Sequence, residues 1–247
     1  MALDFTCLQT RKAKRRSASS ASLGARFVTT YHGAYNENFP GKRLYNSVMA
    51  RGERVIAISG FIAEHIRARH NTDPARLRVI PRGVDERRFD PAKVAPARVA
   101  ALREAWNVPE GRPVVVLPGR LTRWKGQTVL LDAMARLPGD ALALLVGEGG
   151  LRRALEARIA ERGLADRVRL CGHADDMPAA LLLADVVVHA STDPEAFGRT
   201  VVEAQAMARP VVASDLGHRE AAGIGVRQGP KAVQEADDLG LRLVVDL

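Results

Sequence analysis

Residues 114–150 read VVVLPGRLTRWKGQTVLLDAMARLPGDALALLVGEGG, and two apolar runs flank a helical segment within them. Residues 114–117 and 141–146 are short and rich in branched apolar side chains, which is typical of buried strands. Between them, residues 127–137 carry leucine, alanine and methionine at helical spacing. A strand, a helix and a second strand in this order predict a parallel crossover unit. The sequence therefore predicts an α/β fold.

The same alternation continues on both sides of this segment, and it predicts two Rossmann-like units with parallel sheets. Loops that follow the strands of such sheets lie along one edge, where ligands bind. The predicted strands are residues 25–31, 54–59, 77–81, 168–170, 186–188 and 211–213. The predicted helices are residues 42–49, 59–70, 151–162, 179–184 and 198–208.

Composition limits the class of protein. The chain has 247 residues, of which 47% are hydrophobic, enough for one large core or two modest ones. No run approaches the roughly 20 apolar residues of a membrane-spanning helix, and the first residues lack the apolar core of a secretory signal. Two cysteines, Cys7 and Cys171, indicate no disulfide framework. We therefore expect a globular protein of the reducing cytoplasm.

The formal net charge is +9, which indicates attraction to anions without choosing among nucleic acid, an anionic membrane surface and phosphorylated substrates. Much of it lies in a basic cluster at residues 11–16, followed by a Ser/Ala-rich run. This composition predicts a disordered leader over residues 1–24. Nucleic-acid binding is disfavoured because no aromatic residues are interleaved to stack on bases.

The segment from Asp193 to Glu203 has the composition of a site for a phosphorylated sugar. Glu195 and Glu203 lie eight positions apart across a loop that opens into a helix. The backbone N–H groups of Phe197, Gly198 and Arg199 are expected at the helix start, which attracts anions. Glu203, inside the helix, can accept hydrogen bonds from a ribose diol. The alternative is that Glu195 is a first-turn surface residue and Glu203 belongs to a solvated face.

Two cations follow the first strand of the second unit. Gly119 and Arg120 come directly after that strand, and Lys125 precedes the next helix. A guanidinium fork and a compact ammonium suit a diphosphate whose negative charge grows as a bond to it breaks. The alternative is that both are ordinary surface residues.

The loops after the next two strands are less specific. Gly147 opens a glycine-rich turn, but the dinucleotide-binding pattern fails because Arg152 stands where its third glycine is required. A tight turn and a nucleotide-facing loop are both open there. Gly172 and His173 can border a nucleoside base, whereas Cys171 is expected to be a small core residue. The six histidines show no metal-ligand spacing.

Together these motifs resemble retaining glycosyltransferases of family 4, which have the two-domain GT-B fold. The resemblance is carried by Gly119-Arg120 with Lys125-Gly126, by Gly147-Glu148-Gly149, and above all by Glu195-Ala196-Phe197-Gly198 leading to Glu203. Thr30-Tyr31-His32-Gly33, Ile58-Ser59 and the segment VIPRGVD at residues 79–85 extend it, so that it covers about residues 26–220 and leaves the leader outside.

The resemblance implies transfer of a hexose-type sugar from a nucleotide sugar to a surface polysaccharide or lipid-linked glycan, with retained anomeric configuration. It implies that Arg120 and Lys125 hold the donor diphosphate, that Phe197 and Gly198 supply backbone contacts, and that Glu203 binds the ribose. Glu195 would lie at the transferred sugar and His32 near it from the acceptor side. No metal or other cofactor is required by that scheme.

The expected organisation has an incomplete acceptor-side domain and a nearly complete donor domain. The predicted segments are a basic leader at 1–24, the partial acceptor-side domain at 25–90, a linker at 91–112, the nucleotide-sugar-binding domain at 113–220 and an atypical tail at 221–247. The tail shows no pattern for a closing strand after residue 223. The alternative function is a truncated, inactive chain that at most binds nucleotide sugar. Contact with the inner face of an anionic membrane is also open.

Overall fold

The computed structural model describes residues 26–35, 37, 39–214, 216 and the strand at 241–244. The predicted leader at 1–24 and most of the tail lie outside these residues. The chain divides into two compact units. The first unit comprises the residues up to Arg82 together with residues 195–197. The second unit comprises Gly83–Pro194 and the residues from Gly198 onward. No helix among the described residues is long and apolar enough to span a membrane.

The first unit holds a three-stranded parallel sheet in the order β1-β2-β3. The elements of this unit are β1 (Val28–Tyr31), α1 (Lys42–Ser47), a 3-10 turn (Val48–Ala50), β2 (Arg54–Ala57), α2 (Gly60–Arg69), a 3-10 turn (Pro74–Arg76) and β3 (Leu77–Val79). Ser59 is the N-cap of α2, and its side chain accepts a hydrogen bond from the Ile62 N–H at 3.1 Å, which fits the predicted helix start.

The second unit holds a six-stranded sheet in the order β6-β5-β4-β7-β8-β9. The interior strand β5 (Leu142–Val146), second from one edge, is buried along its whole length, as expected where helices cover both faces of a parallel sheet. Its elements are a 3-10 turn (Pro91–Lys93), α3 (Pro96–Ala105), β4 (Val114–Pro118), a 3-10 turn (Arg123–Lys125), α4 (Gln127–Arg136), β5 (Leu142–Val146), α5 (Arg152–Glu161), β6 (Val168–Gly172), α6 (Met177–Leu182), β7 (Val186–His189), α7 (Arg199–Ala206), β8 (Val211–Ser214) and β9 (Leu241–Val244).

The strand order places a topological switch point in this second sheet. From β4 the chain adds β5 and β6 on one side, and it then returns to place β7 and β8 on the other side of β4. The loops that leave β4 and β7 therefore diverge from neighbouring strand ends. In open α/β sheets this divergence opens a crevice that binds ligands.

One segment differs from the expectation. The expectation of no strand after residue 223 is wrong, because β9 pairs antiparallel with β8. Its four residues, LRLV, are too few for periodicity to distinguish them from a loop. The segment 91–112 carries α3, which packs against α6 in the second unit. Arg98 donates to both carboxylate oxygens of Asp176, at 2.7 and 2.6 Å, and joins the two helices.

Candidate functional site

The loop after β4 is pressed against the loop after β7. Gly126 has a left-handed backbone (φ 71°), and a Cβ there would collide with the carbonyl group of Ala190. The Thr192 N–H donates to the Trp124 carbonyl at 3.0 Å, which ties the same two loops together. The switch-point loops are therefore held by backbone contacts, and only glycine satisfies both the conformation and the space at residue 126.

The predicted cations lie on this β4 loop. The Lys125 side chain runs beside Gly119, with its Cδ 3.6 Å from where a Cβ of that residue would stand. The Arg120 side chain is exposed, and its carbonyl accepts a hydrogen bond from Gln127 Nε2 at 2.9 Å. Gln127 is buried at the start of α4, so it fixes the backbone from which Arg120 projects. Gly119, Arg120 and Lys125 are thus brought together at the carboxyl end of β4.

The glycine-rich loop after β5 packs on the β4 loop. A Cβ at Gly147 would collide with the Gly119 carbonyl, and one at Gly149 with the Leu121 carbonyl. The Leu121 N–H donates to the Glu148 carbonyl at 2.9 Å, and the Gly147 N–H donates to the Gly172 carbonyl at 2.7 Å. These glycines are therefore explained by close packing of backbone, which supports the tight-turn interpretation of this motif.

The loop after β6 continues the same edge. Gly172 has a left-handed backbone (φ 75°). The side chain of His173 is exposed, with Nε2 3.3 Å from a carboxylate oxygen of Asp175. Burial raises the pKa of the Cys171 thiol to about 12, so the thiol is protonated at neutral pH and is a poor nucleophile. Cys171 is only partly buried, so the expectation of a core residue is not met, whereas the expectation that it is no nucleophile agrees with the raised pKa.

The helix α7, which follows β7, begins one residue later than predicted. Gly198 is its N-cap in the left-handed conformation (φ 81°), without a side-chain hydrogen bond to the cap. The first helical N–H groups are therefore those of Arg199 and Thr200, and they form the positive end of the helix dipole. The N–H groups at the helix start are therefore shifted one residue towards the C-terminus from the predicted set, which began at Phe197.

Glu203 lies on α7 and is largely buried, with 18% of its side chain exposed. Burial raises the pKa of its carboxyl group, against the lowering effects of Arg199 and Arg88. The Arg199 Nε lies 3.8 Å from the Glu203 carboxylate, and the Arg199 side chain is 66% exposed. The solvated-face interpretation of Glu203 is therefore wrong, because its side chain is withdrawn from solvent.

In the first unit, His32 follows β1 and Arg82 follows β3. The Arg82 Nη2 lies 2.9 Å from His32 Nδ1. A guanidinium can only donate, so Nδ1 must accept and the neutral ring carries its proton on Nε2. Burial, and then the charge of Arg82, lower the pKa of His32. His32 is therefore a neutral ring whose Nε2–H can donate to a ligand.

Residues 195–197 are grouped with the first unit. Ser59 Oγ donates to the Ala196 carbonyl at 2.6 Å, Glu195 is half-buried, and Phe197 is buried. The structure thus brings the candidate residues together in two sets. Gly119, Arg120, Lys125, Gly147 and Gly172 share one sheet edge in the second unit, with Glu203 on α7. His32, Glu195 and Phe197 belong to the first unit.

Arg82 and Gly126 are the residues that sequence reasoning missed. Both stand inside quoted motifs, yet neither was given a role, because one acts through a hydrogen bond across 50 positions and the other through a contact between two loops. Among the described residues, no group of three histidine, cysteine or acidic side chains is close enough to hold a metal ion.

Comparison with known protein families agrees with this architecture. The family model described as "Glycosyl transferases group 1" matches residues 99–223, slightly more than half of the chain. The chain belongs to this family. A second model, "Glycosyltransferase Family 4", matches residues 7–88. The leader was expected to lie outside the resemblance, but this match begins inside it. Sequence motifs missed that likeness because a basic, serine-rich segment offers few distinctive residues.

Curated relatives of this chain are glycosyltransferases. D-inositol 3-phosphate glycosyltransferase of Salinispora tropica is 36% identical over 69% of this chain and 38% of the relative. 2-deoxystreptamine glucosyltransferase of Streptomyces kanamyceticus is 37% identical over 56% of this chain and 36% of the relative. The chain thus spans less than half of the length of these relatives.

Solved structures confirm the GT-B class of α/β fold expected for this chain. A glycosyltransferase from Rickettsia africae is 28% identical, with a TM-score of 0.73 over 93% of this chain and 70% of that one. The Anabaena protein HepE, solved in complex with UDP and glucose, is 28% identical, with a TM-score of 0.77 over 90% of this chain and 60% of that one.

Proposed function

We propose that this chain contributes the donor-binding part of a retaining glycosyltransferase, which moves a hexose-type sugar from a nucleotide sugar to a glycan acceptor. The observation that carries the proposal is the edge at the β4 and β7 strand ends. There, backbone packing of glycine-rich loops holds Arg120 and Lys125 together at a topological switch point. Family membership and the UDP present in the HepE structure support a nucleotide sugar as the ligand.

In this proposal the diphosphate of the donor binds between the two cations and the start of α7. Arg120 offers a planar fork and Lys125 a compact charge, and the N–H groups of Arg199 and Thr200 add hydrogen-bond donors with the helix dipole. Glu203 binds the ribose, whose hydroxyl groups donate hydrogen bonds to the carboxylate oxygens. Gly147, Gly172 and His173 border the base.

The sugar contacts in this proposal follow from the family resemblance. Glu195 and the Phe197 backbone contact the transferred sugar, and His32 donates from Nε2 to a hydroxyl or phosphate oxygen. The bond between the sugar C1 and the diphosphate oxygen breaks, and the acceptor oxygen bonds to C1 on the same face. The acceptor proton passes to the leaving diphosphate, so the products are a glycoside and a nucleoside diphosphate. Arg120 and Lys125 stabilise the departing charge, and the scheme uses no metal or other cofactor.

The acceptor that we propose is a surface polysaccharide, such as lipopolysaccharide, or a lipid-linked glycan. The enzyme would act in the cytoplasm or at the inner face of the cell membrane. The relatives named above add inositol phosphate and 2-deoxystreptamine to the acceptors worth testing. A second candidate function is binding of nucleotide sugar without transfer.

The test is incubation of the chain with a panel of nucleotide sugars and these acceptors, with heat stabilisation and nucleoside diphosphate release followed in parallel. We expect one donor to stabilise the chain and to release diphosphate. Stabilisation without release would favour the binding-only candidate. Lack of stabilisation by every donor would contradict both.

The variants Arg120→Ala and Lys125→Ala locate the effect. Each should lower turnover roughly 100- to 1,000-fold, because it removes a preorganised charge that stabilises the leaving group. Arg123→Ala is the matched control, since Arg123 is an exposed cation of the same loop. Equal losses in all three variants would contradict the assignment of the pair.

A further inference from the structure

A basic pocket lies in the first unit, away from the edge that carries His32. It has a volume of about 550 Å³, within the usual range for sites of small ligands. Its lining includes Arg51, before β2, and Arg69 to Thr72, before β3. These positions precede the strands, whereas His32 follows β1 and Arg82 follows β3. A four-residue strand spans roughly 13 Å, so the pocket and His32 lie at opposite ends of the sheet.

Three arginines from separate parts of the first unit line this pocket. Arg43 projects from α1, Arg51 follows the 3-10 turn, and Arg69 ends α2. Arg43 donates through Nε and Nη2 to the Arg69 carbonyl, at 3.1 and 2.8 Å, which fixes its orientation and leaves Nη1 as a further donor. Within the described part of the chain, the one carboxylate that pairs with them is that of Glu37, 3.3 Å from Arg69 Nη1. Positive charge therefore exceeds negative charge around the pocket.

His70 adds no positive charge to this pocket at neutral pH. His70 also lines the pocket and is buried, and its Nε2 lies 2.9 Å from the Tyr31 hydroxyl. Burial lowers the pKa of His70, and the positive charges of Arg43 and Arg51 lower it further. The arginines therefore define the electrostatics of the pocket.

Apolar side chains stand beside these cations. Leu44 lines the pocket and is 61% exposed, and Phe39, close by in the chain, is 57% exposed. Lys42 lies over the rings of Phe39 and Tyr45, with its Nζ 5.1 and 5.5 Å from their centroids. Exposed apolar groups among lysine and arginine are typical of surfaces that meet phosphate headgroups with acyl chains beneath them.

We propose that this pocket is a second anion site, which binds a phosphate group through Arg43, Arg51 and Arg69. Guanidinium forks suit the oxygens of a phosphate, and the pocket has room for the group that bears it. The phosphate can belong to a lipid headgroup or to a soluble phosphate ester. This site goes beyond the proposed function and does not depend on it, because it lies at the other end of the sheet from His32.

The experiment follows hydrogen exchange of the full 247-residue chain with three probes. These are inorganic phosphate, phosphatidylcholine vesicles, and vesicles that contain roughly one-third phosphatidylglycerol. We expect protection of residues 41–51 and 69–72. Protection by inorganic phosphate identifies a soluble ester as the source, and protection by the anionic vesicles alone identifies a lipid headgroup. Absence of protection with every probe, or equal protection by neutral and anionic vesicles without an effect of phosphate, would overturn the proposal.

Paired variants make the test specific. Arg51→Gln with Arg69→Gln should lower affinity for the effective probe roughly 25-fold, at about fivefold for each cation removed. Arg67→Gln with Arg76→Gln is the matched control, since both residues are exposed in the same unit but do not line the pocket. An equal loss of affinity in the two paired variants would show that net charge alone causes the effect, and it would overturn the proposal. The single variant Arg51→Gln serves if the pair fails to fold. Phosphate bound at the start of α7 would protect residues 198–203 instead, so failure of the donor site is recognised separately.

Discussion

The candidate ligand-binding edges of the two units are held by different kinds of contact. In the second unit, the loops after β4, β5 and β7 are held by glycine backbones packed against carbonyl groups, at Gly126, Gly147 and Gly149. In the first unit, the edge after β1 and β3 depends on a side-chain hydrogen bond between His32 and Arg82. Backbone packing fixes a loop without any polar side chain, whereas a side-chain bond also sets a tautomer and a charge. We therefore expect the backbone-packed edge of the second unit to tolerate substitution of surface residues, and the edge of the first unit to change with pH.

The largest expected effect tests the backbone-built edge. Gly126→Ala places a Cβ against the Ala190 carbonyl in a left-handed conformation (φ 71°). We expect the free energy of unfolding of the second unit to fall by about 3 kcal/mol, from overpacking and the unfavourable φ. Denaturant unfolding measures it.

Gly139→Ala is the control for this change. Gly139 has a similar backbone (φ 85°) but no atom within 4 Å of a Cβ, so only the conformational cost of about 1 kcal/mol applies. If the two variants were equally stable, packing between the β4 and β7 loops would not be what holds this edge.

A smaller effect sharpens the comparison at α7. Because burial raises the pKa of Glu203, the folded chain binds this proton more tightly than the unfolded chain does. The resulting stability is present below the ordinary glutamate pKa of 4.5 and is lost as pH rises through the folded pKa. Glu203→Gln should therefore stabilise the chain at pH 7, by no more than about 1 kcal/mol, and have little effect near pH 4.

The control for Glu203 is Glu161→Gln, an exposed position at the end of α5. It should change the free energy of unfolding by less than about 0.5 kcal/mol at both pH values. Heat denaturation at the two pH values decides the matter. If Glu203→Gln raised the free energy of unfolding equally at both pH values, burial of the carboxylate would not be the cause of the gain.

The smallest effect tests the side-chain-built edge. Arg82 lowers the pKa of His32, so Arg82→Gln should raise that pKa towards the ordinary histidine value of 6.5. Titration of the histidine ring protons by NMR measures it, with His65 and His70 as internal controls that should not move. Since the pKa of His32 is lowered on folding, its contribution to stability is present above pH 6.5 and is lost as pH falls through the folded pKa. An unchanged His32 titration would show that the bond to Arg82 is not maintained in solution.

Most of the local structure could be predicted from the sequence. The strands at 114–117 and 141–146 and the helix at 127–137 agree with β4, β5 and α4 to within a residue, because apolar periodicity and glycine loops are local properties. The helix from residue 198 was predicted one residue early, since an N-cap glycine and a first helical residue look alike in sequence. The short β9 was missed because it depends on pairing with β8.

The sequence by itself determined the fold class, the order of the strands up to β8 and the candidate residues for a ligand site, since these follow from periodicity, chain order and residue chemistry. The tertiary structure alone decided the strand order β6-β5-β4-β7-β8 and the approach of Gly126 to Ala190. It also decided the bond from Arg82 to His32 and the grouping of Arg43, Arg51 and Arg69 around one pocket. The physical reason is that each of these joins residues separated along the chain, and their proximity arises only when strands pair and helices pack on the sheet.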